Sequence, residues 1–206
     1  MPGQQLNTSG IIIGRQPSGS DSFEQLLAFS ATDGQLHCLR RIPKKAAAQT
    51  TPLDLFDEAE LWLESSNQGR TWFIKEHRHS TRHPGVGRSY AAMQTAAQLA
   101  LLIQRNPVSD ESREPITHLL RQTLGALETG ARPDLVWLKT LYCFLRDEGY
   151  PVKQHWWQQL PGDERDTAAQ LLQLPSAAQS PTADNVARIT QRLTHWVATD
   201  TEIKLG

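Results

Sequence analysis

The chain has 206 residues, and this length favours one large domain or two small ones. Its formal net charge is −1, and no apolar run approaches the roughly 18 residues that a membrane-spanning helix needs, which excludes a membrane span. The opening MPGQQLNTSGIII has no basic region ahead of an apolar core and does not resemble a secretory signal. We therefore expect a cytoplasmic globular protein.

The first part of the chain has the pattern of short strands. Five runs of suitable length, rich in Ile, Leu, Phe and Trp, are separated by polar segments that contain Gly, Pro, Ser or Asp. These runs are GIIIGRQ, FEQLLAFSA, QLHCLRR, LFDEAELWLE and RTWFIKEH. The turn Thr32-Asp33-Gly34 predicts a hairpin between the second and third strands, because glycine adopts positive φ easily.

The fourth run alternates in the way expected of a half-buried strand. In ELWLE the alternation predicts that Leu61 and Leu63 face one side, while Glu60, Trp62 and Glu64 face the other.

After Gly87 the period changes to that of helices. Ser89 can cap a first helix, Gly130 can end a second, and Pro133 can begin a third. The five predicted helical runs are 90–106, 111–129, 134–149, 163–174 and 182–199. The third run is apolar on nearly every side, so we expect it to be the central helix of a bundle.

These patterns predict an α+β protein of two domains. Residues 1–87 are expected to form a five-stranded OB-fold β-barrel that binds nucleic acid, and residues 88–206 an all-helical bundle domain. Other small barrels would fit the same strand pattern.

The order of these elements resembles the bacterial recombination mediator RecO. The resemblance rests on the stretch from GIIIGRQPSGS to CLRRIPKK, on TPLDLFDEAELWLE, and on LKTLYCFLRDEGYPV in the helical part. It covers most of residues 10–160 through loose patterns of apolar residues and glycines. The chain is shorter and closer to neutral than typical members.

Membership of this family implies a role in DNA repair and homologous recombination after DNA damage. A RecO-like protein binds single- and double-stranded DNA through its barrel and anneals complementary strands. It cooperates with RecR to load recombinase onto DNA coated by single-strand-binding protein. The four-cysteine zinc module that some members carry is missing, so no zinc is expected.

Positive charge is concentrated in two segments of the chain. We predict that these cations, with one from the first strand, bind nucleic acid, because a local patch of cations releases counterions from phosphates even when the whole protein is near neutral. They are Arg15, Arg40, Arg41, Lys44, Lys45, Arg70, Lys75, Arg78, Arg82 and Arg88. Strands three and five are expected to lie side by side, with the acidic strand four on an opposing side. Alternatively, each cation is an ordinary solvated surface residue.

Aromatic residues in the barrel can serve as platforms for stacked bases. The candidates are Phe23, Phe29, Trp62, Trp72 and Phe73. Trp72 and Phe73 should point to opposite faces of strand five, so one can be core and the other exposed. Any of these rings can instead be an ordinary core residue.

Histidines, cysteines and tryptophans suggest further sites, each with a simpler interpretation. The tract HRHSTRH contains His77, His79 and His83, and imidazoles can bind a transition metal. However, Arg78 and Arg82 lie between the histidines, and no acidic residue follows closely. We therefore interpret the tract as a polar linker and predict no metal. The only cysteines, Cys38 and Cys143, form no C-x-x-C motif and are expected to be buried.

In the helical part, Trp137 and Trp196 should be core residues. The neighbouring Trp156 and Trp157 either pack together or receive an acidic, apolar peptide, for which the resemblance suggests the tail of single-strand-binding protein.

No nucleophile elbow, phosphate loop, H-E-x-x-H or paired-carboxylate motif occurs, so we expect a binding protein and no enzyme. The main alternative is a helical adaptor for other proteins whose barrel has lost its affinity for DNA. A further alternative is a small barrel of another lineage that binds RNA.

Overall fold

The computed structural model of the protein describes residues 3–17, 19, 22–42, 51–178 and 181–205. Contacts divide the chain into two compact units, Met1–Arg82 and His83–Gly206. The division falls at residue 82, whereas the sequence placed it at residue 87. Lys44 and Lys45, two of the predicted nucleic-acid contacts, lie outside the described residues.

The first unit contains five strands in one sheet. They are β1 (Gln4–Pro17), β2 (Phe23–Ser30), β3 (Gly34–Arg41), β4 (Glu58–Ser65) and β5 (Trp72–Thr81). The sheet closes into a barrel in the order β1-β2-β3-β5-β4, with β4 returning to pair with β1. All pairs are antiparallel except β3 and β5, which run parallel at Cys38–Trp72 and Leu39–Phe73. The expected adjacency of strands three and five is confirmed.

The barrel is filled by the inward residues of these strands. Leu61 and Leu63 are buried while Trp62 is half-buried, so the alternation predicted for the fourth strand is confirmed. Trp72 and Cys38, which are neighbours across the parallel pair, also belong to the core. Burial raises the pKa of Cys38 to about 12, so this thiol remains protonated at neutral pH.

Three strand boundaries differ from the sequence prediction by three residues or more. The first strand was expected from Gly10 but begins at Gln4. The fourth strand was expected from Leu55 but begins at Glu58, because Phe56 has a positive φ of 68° that no strand residue adopts. The fifth strand was expected to end at His77 but continues to Thr81. The histidine tract interpreted as a linker is therefore largely strand.

A β-bulge in β5 changes the direction in which its side chains point. Leu63 pairs with Ile74, but Trp62 pairs with Glu76, so Lys75 is an extra residue on the β5 side. Beyond the bulge, His77 and His79 pair with Leu61 and Ala59. Since opposite residues share a face, both histidines lie on the side of the buried residues of β4.

The second unit is helical. Its helices are α1 (Tyr90–Arg105), α2 (Arg113–Glu128), α3 (Pro133–Asp147), α4 (Trp156–Gln159), α5 (Gly162–Gln173) and α6 (Ala183–Asp200). No described helix combines the length and apolar character needed to cross a membrane. α3 contacts α1, α2, α5 and α6, which confirms its expected central position.

Local signals set the ends of these helices. The Ser89 hydroxyl accepts a hydrogen bond from the Ala92 amide at the start of α1, and Thr182 caps α6 in the same way. Pro133 is the first residue of α3, where the missing amide proton costs nothing. Gly130 has a positive φ of 83° just after α2. α4 was not predicted, since four residues carry no periodic signal.

The turn between β4 and β5 yields a test of backbone strain. Gly69 has φ of 79°, and a Cβ added there would lie 3.2 Å from Cζ2 of Trp72. We expect Gly69→Ala to lower the free energy of unfolding by about 1–3 kcal/mol, measured by urea denaturation. Gly69→Asn adds the same Cβ but tolerates positive φ, so its loss should be smaller. Equal losses would show that the Trp72 contact, and not φ, is responsible.

Candidate nucleic-acid interface

Two of the predicted cations meet one buried acid at an end of the barrel. Glu24 accepts from Arg15 Nε at 2.9 Å and also pairs with Arg40 Nη2. The side chain of Arg40 is only 13% exposed, and its Nη1 donates to the Leu53 carbonyl at 3.0 Å. Arg15 also pairs with Asp54 at 3.1 Å. Arg40 is thus a structural residue while these contacts persist.

Three further cations pair with carboxylates on or next to β4. Lys75 contacts Glu64 at 2.7 Å and Arg78 contacts Glu60 at 2.7 Å, while Arg82 Nε contacts Oδ1 of Asp57 at 3.1 Å. β4 and β5 are neighbours with opposite directions, so the acids of one face the cations of the other. The expectation that acidic strand four forms an opposing side was wrong.

The pairing raises the pKa of Arg15 and Arg78 and makes both side chains less available to a phosphate. Burial disfavours the charged form of Arg15, yet the attraction of Glu24 outweighs it and the pKa of Arg15 is raised. The hydrogen bond from Arg78 to Glu60 raises the pKa of Arg78. A phosphate that binds either side chain has to compete with a carboxylate already in place.

Three of the predicted cations have no carboxylate partner among the residues that the structure describes. Arg41 is exposed at the end of β3, and Arg70 is exposed in the turn before β5. Arg88 is exposed as well but belongs to the helical unit. The two cation-rich segments therefore leave two unpaired arginines on the described part of the barrel.

Beside Arg41 lies an outward-facing apolar surface. The rings of Phe23 and Phe73 meet edge to face with centroids 6.0 Å apart, and both side chains are half-buried. Phe23 pairs with Arg41, and Leu39 pairs with Phe73. Opposite residues share a face, so these four side chains form one surface, which we call the Phe23–Phe73 surface.

The remaining aromatic candidates of the barrel are less suited to stacking. Phe29 and Trp72 are buried, and Trp62 is half-buried on β4, whose outward neighbours are Glu60 and Glu64. The prediction that Trp72 and Phe73 face opposite sides, one in the core and one outside, is confirmed.

The neighbouring Trp156 and Trp157 of the helical unit form a packed group with Tyr142. Trp156 is buried and lies 5.9 Å from Trp157 and 6.0 Å from Tyr142, measured between ring centroids. The packed-pair interpretation is therefore favoured over an exposed docking site. Trp196 is a core residue as predicted, whereas Trp137 is only half-buried, which corrects the expectation for that residue.

A cavity of about 280 Å³ opens elsewhere in the helical unit. Its lining includes Leu119, Thr123, Val136, Lys139, Cys143 and Leu172. Lys139 donates to the Leu172 carbonyl at 3.1 Å and also to the Leu174 carbonyl, so its ammonium is already engaged. Burial lowers the pKa of Lys139 and raises that of Cys143. No sequence pattern indicates this cavity, because most of its lining comes from three separate helices.

No protein-family model matches this chain, and no curated protein matches its sequence.

The different roles of neighbouring Arg40 and Arg41 yield a prediction. Arg40→Ala should lower the free energy of unfolding by about 1–3 kcal/mol, because it leaves the buried Glu24 with one partner fewer. Arg41→Ala should change it by less than about 0.5 kcal/mol, because Arg41 is exposed. Urea denaturation of both variants measures the difference. A similar effect of the two substitutions would contradict the assignment of Arg40 to the barrel structure.

Proposed function

We propose that the barrel is an OB fold. Support comes from the strand order, in which the first three strands form a meander, β4 pairs with β1, and β3 pairs in parallel with β5. OB folds are five-stranded Greek-key barrels that bind oligonucleotides over strands two and three and the adjacent loops. The Phe23–Phe73 surface lies over β2, β3 and the start of β5.

We infer that this surface binds single-stranded DNA. The observation that carries the proposal is the pair of half-exposed phenyl rings beside Arg41, which has no carboxylate partner among the described residues. Stacking of a base on an aromatic ring contributes about 1–3 kcal/mol and needs no particular sequence. The outward positions of β2 and β3 contain no Asp or Glu. The acid opposite Phe73 on β4 is Glu64, whose carboxylate is paired with Lys75.

The biological role that we propose is that of a RecO-like recombination mediator. Such a protein anneals strands and, with RecR, helps load recombinase onto DNA coated by single-strand-binding protein. The order of barrel and helical unit supports the proposal, together with the sequence resemblance. Annealing needs only binding and alignment of strands, which a stacking surface with a few cations can supply without covalent chemistry.

A second candidate is the adaptor, in which the helical unit recruits proteins and the barrel has little affinity for DNA. The pairing of Arg15, Arg40, Lys75, Arg78 and Arg82 with carboxylates favours it, because paired cations contribute little to phosphate binding. The cavity beside Val136 offers a site for an apolar side chain of a partner, for which the tail of single-strand-binding protein is the candidate suggested by the resemblance.

Fluorescence anisotropy with labelled single-stranded DNA tests the mediator proposal. Phe23→Ala and Phe73→Ala should each weaken binding roughly 5- to 150-fold, the equivalent of one lost stacked base. Arg41→Ala should reduce the slope of log K against log salt by about 0.7, the value for one phosphate contact on a single strand. Duplex DNA and RNA of the same length show which nucleic acid is preferred.

Matched controls lie on another part of the same barrel. Trp62→Ala removes a half-buried aromatic residue of β4, and Arg78→Ala removes a cation already paired with Glu60. Neither should change affinity as much as the phenylalanine variants do. If binding is absent at low salt while a peptide from the tail of single-strand-binding protein is captured, the adaptor is correct and the mediator proposal is wrong.

A further inference from the structure

An open groove of about 360 Å³ lies between α5 and α6 of the helical unit. Its lining consists of Glu164 from α5 and of Arg188, Gln191, Arg192 and His195 from α6. The four α6 residues are spaced by three, four and seven positions, so they share one face of that helix. The opposite face of α6 is buried in the core of the unit. The packing of α6 therefore holds these four polar side chains along the groove.

A buried carboxylate positions both arginines of the groove. The side chain of Glu164 is only 9% exposed, and it accepts hydrogen bonds from Nε of Arg192 at 2.9 Å and from Nη2 at 3.4 Å. Nε of Arg188 lies 3.8 Å from the same carboxylate, and its Nη2 donates to Asn185 at 3.3 Å. Both arginine side chains stay about half exposed. The Nη1 groups of both have no hydrogen-bond partner among the described residues, so they are available to a ligand.

The arginines of the groove outnumber its acid. Glu164 is the only acid in the lining that the described residues provide, so the two guanidinium groups leave one positive charge in excess. In the barrel, by contrast, Arg15 and Arg40 share two carboxylates. The groove therefore attracts anions more strongly than the paired cations of the barrel do.

Uncharged hydrogen-bond donors extend the line of cations. The side chains of Gln191 and His195 are exposed and make no hydrogen bond within the described part of the chain. From Arg188 to His195 the helix rises roughly 10 Å, so the donors follow an extended line. No aromatic or aliphatic side chain belongs to the described lining, so an apolar part of a ligand would gain nothing there.

This set of donors fits phosphate better than carboxylate. A carboxylate has two oxygens, and one guanidinium fork can occupy both of them. A phosphate group offers three acceptor oxygens, so it can bind a guanidinium and still accept from a neighbouring amide or imidazole.

Two guanidinium groups one helical turn apart offer two such forks, and two linked phosphate groups can fill both at once. We propose that the groove binds a diphosphate group, either free or as part of a nucleotide, through Arg188 and Arg192, with Glu164 as a positioning residue. The proposal goes beyond DNA binding by the barrel and does not rest on it.

Isothermal titration calorimetry of the full chain with pyrophosphate, at fixed ionic strength and without divalent cations, tests the proposal. We expect one equivalent to bind at least about 10-fold more tightly than orthophosphate, which can fill one fork only, or than citrate, which offers carboxylates only. ADP distinguishes the two sources of the ligand. Equal affinity for ADP and pyrophosphate shows that a nucleotide diphosphate is accepted, whereas binding of pyrophosphate alone identifies the free anion.

Substitutions test the two arginines separately. Arg188→Gln should weaken pyrophosphate binding about 10-fold, the equivalent of one lost charge-assisted hydrogen bond. Arg192→Lys keeps a cation beside the buried Glu164, so the fold should be retained, but it removes the fork and should also weaken binding. Arg88→Gln is the matched control, because it removes the same charge from another exposed site of the helical unit and should leave the affinity unchanged.

A second measurement uses only the wild-type protein. Pyrophosphate added to the isotope-labelled chain should shift the Nε–H signals of Arg188 and Arg192 before those of the other arginines. Shifts centred elsewhere, equal affinity in the Arg188→Gln and Arg88→Gln variants, equal affinity for citrate, or no stoichiometric binding would each overturn the proposal. The DNA-binding proposal can fail without affecting this result, because the assay contains no nucleic acid.

Discussion

The parallel contact between β3 and β5 is the constraint on which the barrel depends. It comprises two residue pairs, Cys38–Trp72 and Leu39–Phe73, yet it joins the β1-β2-β3 meander to the β4–β5 hairpin and so closes the sheet. On each of the two strands, one residue of the contact points into the barrel and the next residue points outward. The same contact therefore completes the core with Trp72 and places Phe73 next to Leu39 and Phe23 outside.

Closure of the barrel also determines how charge is distributed over its surface. Exposed ion pairs such as Lys75–Glu64 and Arg78–Glu60 contribute little to stability because solvent screens them, so their main effect is on the surface potential. The net charge of the chain is near zero, and in the described part of the barrel most cations are neutralised locally by carboxylates beside them. They do not form a basic side opposite an acidic one. Any affinity for nucleic acid then depends more on stacking and on Arg41 and Arg70, which have no carboxylate partner in the described part of the barrel, than on a broad basic patch.

More of the fold than of the candidate site could be predicted from the sequence. Strand alternation at Leu61–Leu63 and the capping residue Ser89 are local signals, and each was correctly interpreted. Which cation faces which carboxylate depends on the register between two paired strands, and the sequence of one strand alone does not reveal that register. A count outward from the β4–β5 turn would place Glu60 opposite His77, and only the extra residue Lys75 brings Arg78 opposite Glu60. Arg40 gave no local signal of burial, because Glu24 and Leu53 reach it from distant parts of the chain.

The same bulge allows one strand to serve surfaces of opposite chemical character. Before it, Phe73 faces outward beside Leu39, where the nearest fixed charge on β2 or β3 is the cation Arg41. After it, His77 and His79 face the segment that carries Thr51 and Asp57. A strand without the extra residue would keep all odd-numbered side chains on one face, so the imidazoles would share the outer surface with the phenyl ring.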